Sequence, residues 1–232
     1  MNRRRILSSA WATGVGLMAL EALPRTGWAA AFSQGDATAA LRAALDKGAD
    51  VAVSQLGANN GFLGNDKVRI GLPDALEKAA PLLRTMGRGK QLDELTTAMN
   101  HAAEQAVALA RPMLGKAIKS MSVQDAQRIL KGGENAVTEY FASKTRAPLS
   151  QQFLPVVSKM VDKLSVTRNY NELAGKAQSV GLLKGQAVTI QEHVTQRALD
   201  ALYFVIGEEE RRIRRDPVGT GSALLKKVFG AL

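Results

Sequence analysis

Cysteine is absent from the 232 residues, which excludes disulfides, thiol catalysis, cysteine-ligated metals and a lipid anchor on an N-terminal cysteine. Histidine occurs only at positions 101 and 193, so the imidazoles for acid–base or metal chemistry are few. Aromatic residues make up 5% of the chain, and both tryptophans, Trp11 and Trp28, fall in its first 31 residues. The remainder therefore lacks an aromatic platform on which bases or sugars would stack, which argues against nucleic-acid binding and glycoside hydrolysis. Long apolar runs are scarce too: the only extended one is Ile6 to Leu20, which contains Gly14 and Gly16 and is short for a bilayer. Beyond it no stretch approaches transmembrane length.

What is present is helix-forming. Alanine and leucine abound in a chain that is 46% apolar, and unbranched side chains lose little rotamer freedom in a helix. An all-α domain with a sizeable core is expected.

The N-terminus has the layout of a secretory signal peptide: Arg3, Arg4 and Arg5, then the apolar run, then Pro24 and the small residues Ala29, Ala30 and Ala31. The stretch Asn2 to Leu7 also resembles a twin-arginine export signal, departing from it at Asn2 and Ile6. Residues 1–31 are read as a leader removed near 29–31, and 32–232 as one helical domain that is exported and periplasmic. That domain carries 27 basic and 20 acidic residues, net +7, distributed as −1 over residues 32–110 and +8 over 111–232. The second half is the one suited to an anionic surface, which outside the cytoplasm means phospholipid headgroups, lipopolysaccharide or cell-wall polymer.

Apolar spacing predicts a helix over about 36–56, introduced by Ser33 and Asp36 at capping-box spacing, and a second from Pro73 to Gly87. A long helix over about 89–118 follows, with Pro112 expected to kink or break it. Ser122 and Asp125 open a short helix closed by Gly132 and Gly133. Helices are expected at about 134–145, 149–164, 167–180 and 192–214, Pro148 separating the first two, and a terminal helix carries Leu224, Leu225, Val228 and Phe229. The fold expected is a single-domain bundle of about eight to nine helices.

The exception to this pattern is GFLGNDKVRIGLP, residues 61–73. Its glycines and Pro73 favour an extended loop, and Lys67 to Ile70 alternates like a strand. The only other β-like run is Ala187 to Ile190, so a minor two-stranded ribbon of 67–70 with 187–190 is expected, clipped onto the helices. The loop holds Asn65, Asp66, Lys67 and Arg69 beside flexible glycines, and with His193 these form the candidate ligand or partner surface. It matches neither a P-loop nor an EF-hand. His101 has Glu104 three residues on and Glu94 seven before, but one His-x-x-Glu falls short of the paired motifs of a di-iron bundle, and no metal or cofactor is expected. Neither a G-x-S-x-G elbow nor Ser-x-x-Lys occurs. In the run 208–217, Glu208 is spaced to pair with Arg211 or Arg212 and Glu210 with Arg214.

The order of GFLGNDKVRIGLP, KQLDEL with MNHAAE, SVQDAQRILKGGENA, KTRAPL, TQRALDALY and DPVGTGSALLKKVF resembles the bacterial family known as domain of unknown function 4197, over about residues 34–232. That resemblance implies an exported, mostly helical protein and supplies no catalytic residues to carry over. The function expected is a non-catalytic binding or scaffold module of the cell envelope, with an envelope partner or an anionic surface as its counterpart. Two rival expectations are an envelope hydrolase with dispersed catalytic groups and peripheral attachment to anionic lipid.

Overall fold

The computed structural model describes residues 34–179 and 188–216. Regular structure among them is entirely helical: α1 (Gln34–Gly57), α2 (Asp74–Leu83), α3 (Gly89–Ala108), α4 (Ala110–Lys119), α5 (Val123–Lys131), α6 (Ala136–Val161), α7 (Ser165–Ser179) and α8 (Ile190–Arg215). A single π-helical turn, Arg84–Arg88, joins α2 to α3 and contains Gly87 at φ +79°, a left-handed kink that glycine tolerates without a Cβ clash. Helices α3, α6 and α8 pack on one another, and α1 lies against α3, α4 and α8. Ala102, Ala103 and Ala106 on α3 have no exposed area, and these short side chains let its neighbours approach closely. One continuous core runs from Leu41 on α1 through Met99, Phe141 and Phe153 to Ile206 on α8.

At Pro148 the helix boundaries differ from the expectation, and the break expected at Pro112 falls three residues earlier. Residues 134–164 do not form two helices: α6 runs through Pro148 and Pro155. A proline inside a helix costs about 3 kcal/mol. Leu149, Phe153 and Val157, just beyond Pro148, are fully buried, and each such side chain contributes about 1.5–3 kcal/mol. Keeping them in the core outweighs the lost backbone bond. The long helix over 89–118 is broken at Leu109, whose N–H donates to Ala106 O. Pro112 then falls in the first turn of α4, where a missing N–H leaves nothing unsatisfied. The terminal helix expected over Leu224 to Phe229, and Ala187, lie outside the described residues.

The expected ribbon is not formed; there is no strand among the described residues. Its backbone groups find side chains instead. The Asn100 amide on α3 accepts from Ile70 N–H and donates to Ile70 C=O, both at 2.9 Å, replacing a neighbouring strand at that residue. Thr189 is the N-cap of α8: its hydroxyl accepts from Glu192 N–H at 3.2 Å, while the Glu192 carboxylate accepts from Thr189 N–H at 3.0 Å. The β-branched run 187–190 therefore ends in a helix start.

Candidate functional site

Between α1 and α2 the chain makes an arm, residues 58–73, wound in turns and laid across α3 and α8. It begins with Asn60 at φ +60° and Gly61, whose position is forced by proximity: a Cβ there would sit 2.5 Å from Gln55 O and 2.6 Å from Leu56 O, the carbonyls that end α1. Phe62 is the anchor, with no exposed area, and Val68 and Ile70 are buried behind it.

Three side chains from the helices fasten the arm. Glu104, 5% exposed on α3, accepts from Phe62 N–H at 3.2 Å and Leu63 N–H at 3.5 Å through one carboxylate oxygen. Its other oxygen lies 2.8 Å from His101 Nδ1. Asn100, fully buried, holds Ile70 as described and also donates to Thr96 O at 2.8 Å. His193 on α8 places Nε2 at 3.0 Å from Gly71 O, and since a carbonyl only accepts, that nitrogen carries the proton. Burial pushes the His193 imidazole below its ordinary pKa and Arg197 adds to the effect, opposed by the Gly71 bond and by Asp74. A neutral imidazole that donates suits this environment.

The candidate residues divide accordingly. Asn65 is used inside the arm, its backbone oxygen accepting from Val68 and Arg69 N–H and its side chain from Lys67 N–H at 3.2 Å. Asp66 is exposed and does not line the groove beside the arm. Lys67 forms an ion pair with Glu208 at 2.8 Å, tying the arm to α8; the spacing expectation that gave Glu208 to Arg211 or Arg212 is overturned, since Arg212 pairs with Glu209. Glu210 and Arg214 do pair, at 3.0 Å. Arg69 is exposed, and its guanidinium has no hydrogen-bond or ion-pair partner among the described residues.

Arg69 faces a groove of about 420 Å³ between the arm and α8. Lys67, Arg69 and Leu72 form one wall; Arg197, Asp200 and Phe204 form the other. Arg197, like Arg69, is exposed and unpartnered among the described residues. Asp200 is engaged by Arg146 at 2.9 Å, and the Arg146 guanidinium lies 5.0 Å from the Tyr203 ring centre. Phe204 is 40% exposed, large for an aromatic ring on a packed helix. The arrangement brings two guanidinium side chains without a partner among the described residues and one apolar ring to one open surface, a geometry suited to an anionic group.

Sequence reasoning missed Glu104 and Asn100 as fasteners and Arg197 and Phe204 as groove residues. His101 and Glu104 do attract attention by their spacing, but as a metal fragment. Nothing local marks Arg197 or Phe204, whose role depends on α8 lying beside an arm more than a hundred residues earlier.

Among the described residues no helix is long and apolar enough to cross a membrane. No curated protein and no solved structure matches the chain. A family model matches residues 31–230, nearly the full length, and the chain therefore belongs to the family described as protein of unknown function (DUF4197).

Proposed function

We propose that this protein is an exported, non-catalytic binding component of the cell envelope, and that the groove between the arm and α8 receives an anionic group of its ligand or partner. The observation that carries the reading is the pair Arg69 and Arg197, both without partners, on walls fastened by buried side chains. A guanidinium already spent on an internal carboxylate has little to offer a ligand; these two retain their full donor sets. A non-catalytic role rests on the sequence, which has neither a G-x-S-x-G elbow nor Ser-x-x-Lys. Export is supported by the leader-like residues 1–31.

Two measurements test this. Inorganic phosphate titrated into the 15N-labelled protein shifts backbone resonances of residues 67–72 and 197–204, and Arg69→Gln with Arg197→Gln abolishes the shifts. Changes of equal size scattered over the other basic surfaces argue against the site. For export, protein isolated from the envelope fraction begins near residues 29–31; a retained Met1 in cytosol contradicts it.

A further inference from the structure

The groove's wall on α8 is graded. Arg197, Ala201 and Phe204 succeed one another on one face, and Arg197 and Phe204 are about 10 Å apart along the axis at the helical rise. One turn beyond Phe204, Glu208 is joined to Lys67 across the groove. The cationic end is open, the middle is apolar, and the far end is a closed ion pair. Asp200 in the groove and Glu208 beyond Phe204 are each paired with a cation, Arg146 and Lys67, which leaves the guanidinium groups of Arg69 and Arg197 as the groove's free positive charge among the described residues.

That pattern selects among anions. A polyanion such as nucleic acid or a sulfated polymer gains from a continuous cation track, and here it would run onto Phe204 and then onto Glu208. A small inorganic anion would use the arginines and leave Phe204 and Leu72 wet. A carboxylate has two oxygens and satisfies one guanidinium fork in bidentate fashion, whereas a phosphate monoester offers three peripheral oxygens and up to two charges, enough for two forks.

Resting on the anion-binding reading above, we infer that the ligand is an amphiphile with a single phosphate-monoester head, held between Arg69 and Arg197, whose apolar chain lies against Phe204 and Leu72.

The test is calorimetric titration of the full-length protein, in parallel, with inorganic phosphate, dodecyl phosphate, dodecanoate and the neutral dodecyl maltoside, all below their micellar concentrations. Dodecyl phosphate is expected to bind with one-to-one stoichiometry and at least about ten-fold more tightly than inorganic phosphate, since several methylene groups leave water. Phe204→Ser should cut that advantage several-fold, Leu72 retaining part of it, while inorganic phosphate, which does not reach the ring, still binds. Arg69→Gln with Arg197→Gln should weaken both phosphates. All three positions are partly or largely exposed, and circular dichroism checks that the variants fold. Dodecyl phosphate binding no better than inorganic phosphate overturns the amphiphile assignment and leaves the anion site standing. Dodecanoate as tight as dodecyl phosphate overturns the phosphate head, and equal binding of dodecyl maltoside overturns head recognition altogether. If inorganic phosphate itself fails to bind at these arginines, the anion-binding reading falls as well.

Discussion

Two joints of this molecule are built by the same device and end differently. At the arm, buried Glu104 reaches from α3 to accept the N–H groups of Phe62 and Leu63. At the corner between α5 and α6, buried Glu210 reaches from α8 to accept those of Val137 and Thr138 at 3.0 and 3.2 Å. Each joint has a glycine pressed on the helix before it: a Cβ on Gly61 would meet Gln55 O at 2.5 Å, and one on Gly132 would meet Arg128 O at 2.8 Å. The difference lies in the cations. At the corner Arg214 binds Glu210 and also donates to Ile129 O at 2.9 Å, so its charge closes the joint. At the arm the carboxylate is met by His101, and the nearby arginines 69 and 197 are left facing solvent. A joint whose charges are all turned inward is architecture; one that leaves two guanidinium groups over a groove has something to offer a ligand.

The corner should carry the largest single contribution. Glu210→Ala removes the carboxylate from Arg214, which is only 18% exposed, and uncaps the start of α6. Breaking a buried pair on one side costs about 3–5 kcal/mol, and urea denaturation should show a loss in that range. A loss below about 1 kcal/mol would mean that Glu210 is not the fastener described.

Glu104→Ala should cost less, about 2–3 kcal/mol, because it strands buried N–H groups without leaving a buried arginine behind. Its local effect should be larger than its global one: hydrogen exchange at Phe62, Leu63 and Ile70 should accelerate more than exchange at Met99 or Phe153. Uniform acceleration would show that the arm opens only with the whole domain. Gly61→Ala presses on the same joint from the other side. The carbonyls at 2.5 and 2.6 Å belong to the last turn of α1 and yield only by moving backbone, so a loss of about 1–3 kcal/mol is expected in thermal unfolding.

Much of the fold is legible in the sequence where a local signal and the tertiary outcome agree. Ser122 and Asp125 form the capping box their spacing announces, and the arm interrupts the helices where its glycines and Pro73 place it. Legibility fails where one local signal hides another or where the partner is distant. Thr189 and Glu192 have capping-box spacing too, but the β-branched neighbours of Thr189 suggest a strand and the cap goes unread. Pro148 reads as a stop because the seven buried side chains spaced four apart along α6, Val137 to Val161, cannot be weighed before their packing is known. The ribbon fails for a third reason. An extended segment needs backbone partners, yet a buried asparagine amide supplies one donor and one acceptor as a neighbouring strand does, and sequence does not reveal which of the two is at hand.

The smallest effect sharpens the arm's attachment to α8. His193 is half-buried, faces the Gly71 carbonyl, and is flanked by Arg197 one turn on and by Asp74 at the start of α2. Burial and Arg197 hold its pKa below the value of about 6.5 that it regains when unfolded. Between those two values the unfolded chain binds more protons, so stability rises with pH there; the contribution is complete above about pH 6.5 and is lost as the pH falls through the folded value. His193→Gln keeps a donor for Gly71 and removes the titration. The difference in stability between the native protein and this variant should therefore be flat above neutrality and turn against the native protein as the medium is acidified, the carboxylates common to both cancelling. If the difference stays flat on acidification, His193 is not held neutral by the arm. If an anion occupies the groove, Arg197 is neutralised, one cause of the depression is removed, and the stability lost on acidification shrinks, its onset near pH 6.5 being set by the unfolded chain.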